Sequence, residues 1–281
     1  MRLFDAPLPV RLWHLASLDA PTVAVVWSLG FAWAAGIRLP LWVPVLLALV
    51  AWAVYIGDRL LDARAGLRSD VPHQLRDRHL FHWRHRRSLV PLAAAAACAA
   101  AWIVLALMPT GVRERDSLLA AAALAYFTRV HSSRNQPLLR SPLLTKELLV
   151  GLLFTTGCVL PAWYRTHAAG PLAAPAVFFA LLAWLNCHSI DRWESCASRN
   201  RTSQILALPT LLAFAGLLLA AVLAAFQPRS AALVAAGAAS ALLLALLDRL
   251  RNRLSPVALR AAADLVLLTP LLLTPFARLP L

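Results

Sequence analysis

Apolar runs of roughly membrane length alternate along the chain with short clusters of charge and proline. A spanning helix needs about 20 predominantly apolar residues. On that measure the pattern predicts nine helices, roughly 19–36, 41–57, 89–108, 117–131, 143–162, 171–189, 204–226, 231–247 and 259–279. Pro40, Pro109, Pro142, Pro161, Pro171, Pro228 and Pro256 mark most of the junctions, as residues that end or open helices do. The fourth segment is the shortest, and Pro270 and Pro275 predict a kink or an early end in the last.

Composition strengthens this picture. Of 281 residues, 60% are hydrophobic and only 14% charged, against roughly 25% charged in soluble domains. Mean hydropathy is +0.68. The expected fold class is all-α, a polytopic membrane bundle of about nine transmembrane helices forming a single domain over 1–281. The formal net charge of +14 brings no basic helix, zinc spacing or RNA-binding signature with it, so nucleic acid is excluded as a partner.

Arginines flanking the spans explain the charge and predict orientation. With a cytoplasmic N-terminus, 21 Lys and Arg fall in inside segments and six in outside segments, together the 27 of the chain. The expectation is an integral protein of a bacterial inner membrane. Asp5, Arg11 and His14 before the first apolar run argue against a cleavable signal. Cys98, Cys158, Cys187 and Cys196 follow no metal or disulfide spacing, and the first two lie in apolar runs.

This register makes 58–88 the longest cytoplasmic loop. It opens within "YIGDRLLDARAG", Tyr55 to Gly66, which carries Asp58 and Asp62 on one helical face. Four spans later "NCHSIDRWESC", Asn186 to Cys196, carries Asp191 and Glu194 at the same membrane face. "IGDRLLD" and "SIDRWE" even look alike, as an approximate four-span repeat would make them. Two acidic faces that meet across a bundle suit Mg²⁺, which takes one or two carboxylates plus substrate phosphates. Nearby arginines and Lys146 suit a polyphosphate. The competing reading is a set of ion pairs, Asp58 with Arg59 or Arg129 and Asp62 with Arg59 or Arg64, worth little at a surface.

On these residues the sequence resembles the UbiA superfamily of intramembrane prenyltransferases, nine-helix proteins with Asp-rich motifs after spans two and six. The likeness of topology covers about 19–279, and "PLLTKELLVGLLFTTGCVLP", Pro142 to Pro161, is similar to the family's fifth span. The motif NDxxDxxxD falls on Val54 to Asp62: Asp58 and Asp62 match, while Val54 and Tyr55 replace the leading Asn and Asp. The motif DxxxDxxxD falls on Cys187 to Ser195: Asp191 matches, Cys187 and Ser195 do not, and Glu194 lies one residue out of register.

The resemblance implies Mg²⁺ held by Asp58, Asp62 and Asp191, an isoprenyl diphosphate partner, and transfer of the prenyl group to a lipophilic or aromatic acceptor. Arg129 and Lys146 are the candidates for contacting the diphosphate, with Tyr55, Asn186 and Glu194 as further substrate contacts. The missing acids keep two alternatives open: cyclisation of the prenyl diphosphate, and a non-catalytic membrane protein that binds a polyprenyl phosphate. A transporter is disfavoured, since no span interior holds several polar residues or paired Gly/Pro breaks.

Other features have plainer readings. "RHLFHWRHRR", Arg78 to Arg87, reads as a basic amphipathic segment on the inner leaflet, compatible with a cap over a site mouth. Its His79, His82 and His85 share a face, but one helical turn rarely supplies a closed metal site. Asp264 is expected to pair with Arg260 one turn before it. Asn186 and His188 either orient an acceptor or bond a helix end, and Trp42, Trp83, Trp163 and Trp193 read as interface anchors.

Overall fold

A computed structural model describes residues 4–67, 77–132, 146–166, 170–194 and 202–274. Among these the chain is helical apart from short connections and one bridge between Phe4 and Leu254. The helices are α1 (Leu8–Leu15), α2 (Asp19–Ala34), α3 (Trp42–Leu67), α4 (Asp77–Arg84), α5 (Arg86–Ala106), α6 (Thr110–Ser132), α7 (Lys146–Trp163), α8 (Gly170–Glu194), α9 (Thr202–Ala224), α10 (Pro228–Leu250) and α11 (Pro256–Leu265). A 3₁₀ stretch, Val266–Leu273, continues α11 around Pro270, whose missing N–H removes one backbone bond from a regular helix.

The protein is an all-helical membrane bundle. Six described helices or helix continuations are long and apolar enough to cross a bilayer: Trp42–Arg64, Arg86–Ala106, Gly170–Trp193, Ala207–Ala224, Pro228–Arg253 and Pro256–Leu273. The pair α1 and α2, bent by 90° at Ser17, would make a seventh. The predicted segment 117–131 lies in α6, which opens with Arg113, Glu114, Arg115 and Asp116 and fails that test; α7 is apolar but short. The burial pattern also belongs to lipid. Trp102, Leu105, Phe214 and Leu218 are each more than 60% exposed on membrane-length helices, where water would penalise a continuous apolar surface.

The core lies where α2, α8, α10 and the 3₁₀ stretch meet. Trp27, Phe31 and Phe179 are fully buried, and Trp27 stacks on Phe179 with ring centroids 3.9 Å apart. The Trp27 indole donates to the Leu267 carbonyl oxygen at 2.8 Å, so the one polar atom of the ring is satisfied. Ser240 on α10 and Thr269 share a 2.6 Å hydrogen bond, and the Thr269 hydroxyl donates to the Ala236 carbonyl at 2.7 Å. Lipid cannot replace these bonds, which makes them pins between α10 and the kinked end.

Contacts between connections sort the chain into two ends. At one, Phe4 pairs with Leu254, the Ser255 hydroxyl donates to Asp5 at 2.8 Å, and the Trp193 indole donates to Asp248 at 2.8 Å. At the other, Arg165 lies over the Trp42 ring and Arg115 over Tyr164. The first of these ends holds the C-termini of α3, α8 and α10 and the N-termini of α2 and α11.

Candidate functional site

The sequence predicts that span two ends near residue 57. In fact α3 runs on to Leu67, so Asp58 and Asp62 are helical, and the connection expected over 58–88 starts a turn and a half after them. Nothing local stops the helix there: Arg59, Leu60, Leu61, Ala63 and Arg64 are good helix formers and no proline intervenes. Hydrophobicity ends with the bilayer, while helix ends where the backbone loses its partners. For the same reason α8 carries Asp191 and reaches Glu194.

Asp58 is half-buried with Arg59 at 3.8 Å, Asp62 is half-buried, and Asp191 is exposed. α3 packs chiefly on α2, α4 and α5, and α8 chiefly on α7 and α10. Arg129 lies in α6, Lys146 opens α7 and Glu194 closes α8; their side chains lie outside the described residues. Ser195 and Cys196 lie wholly outside them. Glu147, next to Lys146, is within electrostatic reach of His188, as are Asp191 and Arg192, so the start of α7 comes beside the end of α8.

Polar chemistry gathers one layer deeper. His14 Nδ1, at the end of α1, lies 2.7 Å from Asp19 Oδ2 at the start of α2 and 3.6 Å from Asp264 Oδ2 on α11. Asn186 on α8 donates its amide to Asp264 Oδ1 at 3.2 Å. The Tyr55 hydroxyl on α3 is within electrostatic reach of Cys187, Asp19, Arg59 and Asp264. Five helices therefore contribute to one buried polar group. Among the described residues, His14, Asp19 and Asp264 are the group of metal-ligating side chains whose donor atoms all lie within 4.8 Å of one another; Asp58, Asp62 and Asp191 are not part of it.

The bend that places His14 opposite Asp19 is tightly held. Ser17 takes a left-handed conformation, φ 55°, which costs a non-glycine residue on the order of 1 kcal/mol. Its N–H bonds the His14 carbonyl oxygen, Leu18 N–H bonds the Trp13 carbonyl oxygen, and the Trp52 indole donates to the Ala16 carbonyl at 2.9 Å. The Ser17 hydroxyl meets His82 Nε2 at 3.2 Å. α4 thus sits over the bend with Arg78, His79 and His82 buried, rather than spreading all its basic side chains on a leaflet. Burial is the main reason the His82 imidazole is held below its ordinary pKa of 6.5, with Arg59 and Arg78 acting the same way.

The sequence pattern missed this group because its members are 250 residues apart. One signal was available: Asp19 and Asp264 are acids at or inside apolar spans, where a partner from another helix is the rule. The partner expected for Asp264 was Arg260, on its own helix. The structure brings His14 and Asn186 to it from two other helices.

A separate cavity of about 410 Å³ opens between α8 and α9, lined by Ala173, Ala174, Val177, Phe178, Leu181 and other apolar residues. None of the candidate site residues lines it. No family model, curated protein or solved structure matches the chain.

Proposed function

We propose that this protein is a divergent intramembrane prenyltransferase of the UbiA type, with the nine-span topology and cytoplasmic N-terminus that the charge pattern suggests. On this reading it sits in a bacterial inner membrane. It transfers an isoprenyl group from a prenyl diphosphate to a lipophilic or aromatic acceptor. The observation that carries the reading is that Tyr55 on α3 and Cys187 on α8 lie within electrostatic reach of each other. These are two of the three positions, one in each Asp-rich motif, where the family keeps an acid that this chain lacks, and Tyr55 is also within electrostatic reach of Asp19 and Asp264. Two motifs 130 residues apart thus come to one end of one bundle.

The acids available there fit a metal that arrives with its phosphate. Asp58 and Asp62 are half-buried and Asp191 is exposed, and a cation that arrives with its phosphate needs only one or two protein carboxylates. Although these three do not form one close group, Asp58 and Asp62 on α3 and Asp191 on α8 would reach Mg²⁺ from two sides of the bound diphosphate, and the ion when bound neutralises charge on that leaving group. The remaining work falls to the chain. Arg59, which lies 5.7 Å over the Tyr55 ring, and Arg129 and Lys146 supply positive charge for phosphate oxygens. α4 covers the bend and, with the Trp27–Phe31–Phe179 core, restricts water near an allylic centre. Asn186 holds Asp264 in place, and its neighbour His188, stacked on Trp184, presents a polar edge for orienting an acceptor.

The test is incubation of purified protein with labelled prenyl diphosphates of several lengths and a panel of acceptors. Mg²⁺-dependent diphosphate release that falls at least about tenfold in Asp58→Asn and Asp191→Asn is expected, since each removes one of few charges. No release at any chain length, or full activity in both variants, overturns the proposal. A cyclic hydrocarbon formed without acceptor would replace prenyl transfer by cyclisation. Binding indifferent to Mg²⁺ and to Asp191→Asn would leave only a lipid-phosphate binder.

A further inference from the structure

We propose that His14, Asp19, Asp264 and Asn186 form a binding site for one divalent first-row metal ion, Zn²⁺ or Mn²⁺, that joins α1, α2, α8 and α11. This does not rest on the prenyl-transfer reading and involves none of Asp58, Asp62 or Asp191.

The donor set comes first. One imidazole nitrogen and two carboxylates from separate helices already converge, with their ligand atoms all within 4.8 Å of one another. Zinc and its neighbours sit about 2.0–2.2 Å from nitrogen and oxygen ligands, which puts the ligands themselves roughly 3–3.5 Å apart. The present spacings, 2.7 Å from His14 Nδ1 to Asp19 and 3.6 Å to Asp264, straddle that range. Rotations of side chains alone would open the first and close the second.

A second observation points to the ligand. Asn186 is 5% exposed, and its amide oxygen is buried with no hydrogen-bond partner, although its amide nitrogen already bonds Asp264. A buried, unsatisfied carbonyl oxygen is costly and rare. A half-turn of the amide presents that oxygen to an ion held by Asp264 and replaces an unmet acceptor with a metal bond. The set then reads one nitrogen and three oxygens, a mixture that suits zinc or manganese better than copper or an iron–sulfur centre.

Charge argues the same way. Two carboxylates brought together in a buried place repel each other, and a cation between them relieves that repulsion. A protonated His14 supplies one positive charge where a divalent ion supplies two and lets the imidazole serve as a neutral ligand. His14 and Asp19 side chains are 5% exposed while Asp264 is 20% exposed, which makes Asp264 the most accessible member of the group. Bound there, the ion would fix the α1–α2 bend to the two helices that carry Asn186 and Asp264.

The experiment uses the full chain in detergent, purified without added metal or chelator. Metal content is measured by mass spectrometry, and chelator-stripped protein is then titrated with Co²⁺ as a spectroscopic probe. Expected are about one Zn²⁺ or Mn²⁺ per chain and visible d–d bands from a nitrogen and oxygen environment. Asp264→Asn should weaken Co²⁺ binding at least about tenfold, and Asn186→Ala, which leaves the His14–Asp19 pair intact, by about tenfold as lost metal contacts do. Asp58→Asn should leave the bands unchanged, which separates this site from the diphosphate metal. Wild-type protein that is folded by circular dichroism yet retains no metal and shows no Co²⁺ bands overturns the proposal. So do bands that persist unaltered in both Asp264→Asn and Asn186→Ala, or that vanish in Asp58→Asn.

Discussion

His82 lies at the junction of α4 with the α1–α2 bend, its Nδ1 2.7 Å from the Arg78 carbonyl oxygen and its Nε2 3.2 Å from the Ser17 hydroxyl. Only an N–H can face a carbonyl at that distance, so Nδ1 carries the proton and Nε2 accepts from Ser17. A second proton would have to enter a buried ring already flanked by Arg59 and Arg78, and burial together with these cations holds its pKa below 6.5. The sign follows from linkage. The unfolded chain takes up a proton near pH 6.5 where the folded chain does not, so stability is full above that pH and declines as pH falls below it. Thermal unfolding in detergent should therefore occur at progressively lower temperature from about pH 6.5 downward. His82→Gln should flatten that decline, because glutamine does not titrate. An identical pH profile for the two proteins would show that His82 takes up its proton as readily folded as unfolded. In the sequence the His79–His82–His85 spacing gives a face; which face is buried depended on Ser17, 65 residues away.

At the scale of helices, length and position were legible and contact was not. Each predicted apolar segment overlaps a described helix, because proline and charge mark the ends in sequence. The extensions of α3 and α8 beyond those marks were missed, because charged residues of good helix propensity continue a helix into the headgroup layer. Helix α1 was missed because its eight residues carry no membrane-length run. What brings α7 and α8 together is a small residue. A Cβ on Gly151 would lie 3.0 Å from the Trp184 backbone nitrogen and 3.2 Å from its Cα, so the approach requires glycine. Backbone atoms in a packed helix cannot give way as a side-chain tip can. Gly151→Ala should thus lower stability by about 1–3 kcal/mol, the usual cost of overpacking. Gly157, six residues further on the same helix, has nothing within 4 Å of a built Cβ. Gly157→Ala should be neutral or slightly stabilising by helix propensity, and thermal unfolding of the pair in one detergent gives the comparison. Equal effects at the two positions would mean that α7 and α8 are not held at this distance.

For the whole molecule, the pattern of apolar runs gave the class, a helical membrane bundle, because a bilayer leaves few other ways to satisfy a backbone. The acids that meet did not emerge from it. Asp19 and Asp264 converge only once α2 and α11 are packed beside α8, and no local rule pairs residues so far apart. Orientation stands between these cases. The structure divides the connections into two ends: the ends of α3 and α8 and the start of α11 lie together, while Arg115, Tyr164, Arg165 and Trp42 meet at the other. Most Lys and Arg fall in segments of the first end, and the positive-inside rule then assigns it to the cytoplasm. Single cysteines decide this, in a chain whose four native cysteines are replaced by alanine. Arg64→Cys lies at the exposed end of α3 and Arg115→Cys at the exposed start of α6. A membrane-impermeant maleimide should label Arg115→Cys in intact spheroplasts and Arg64→Cys only after the membrane is opened. The reverse pattern would place the buried His14–Asp19–Asp264 group, with Asp58, Asp62 and Asp191, on the outer side, where a prenyl diphosphate made in the cytoplasm would have to cross the membrane before it could meet them.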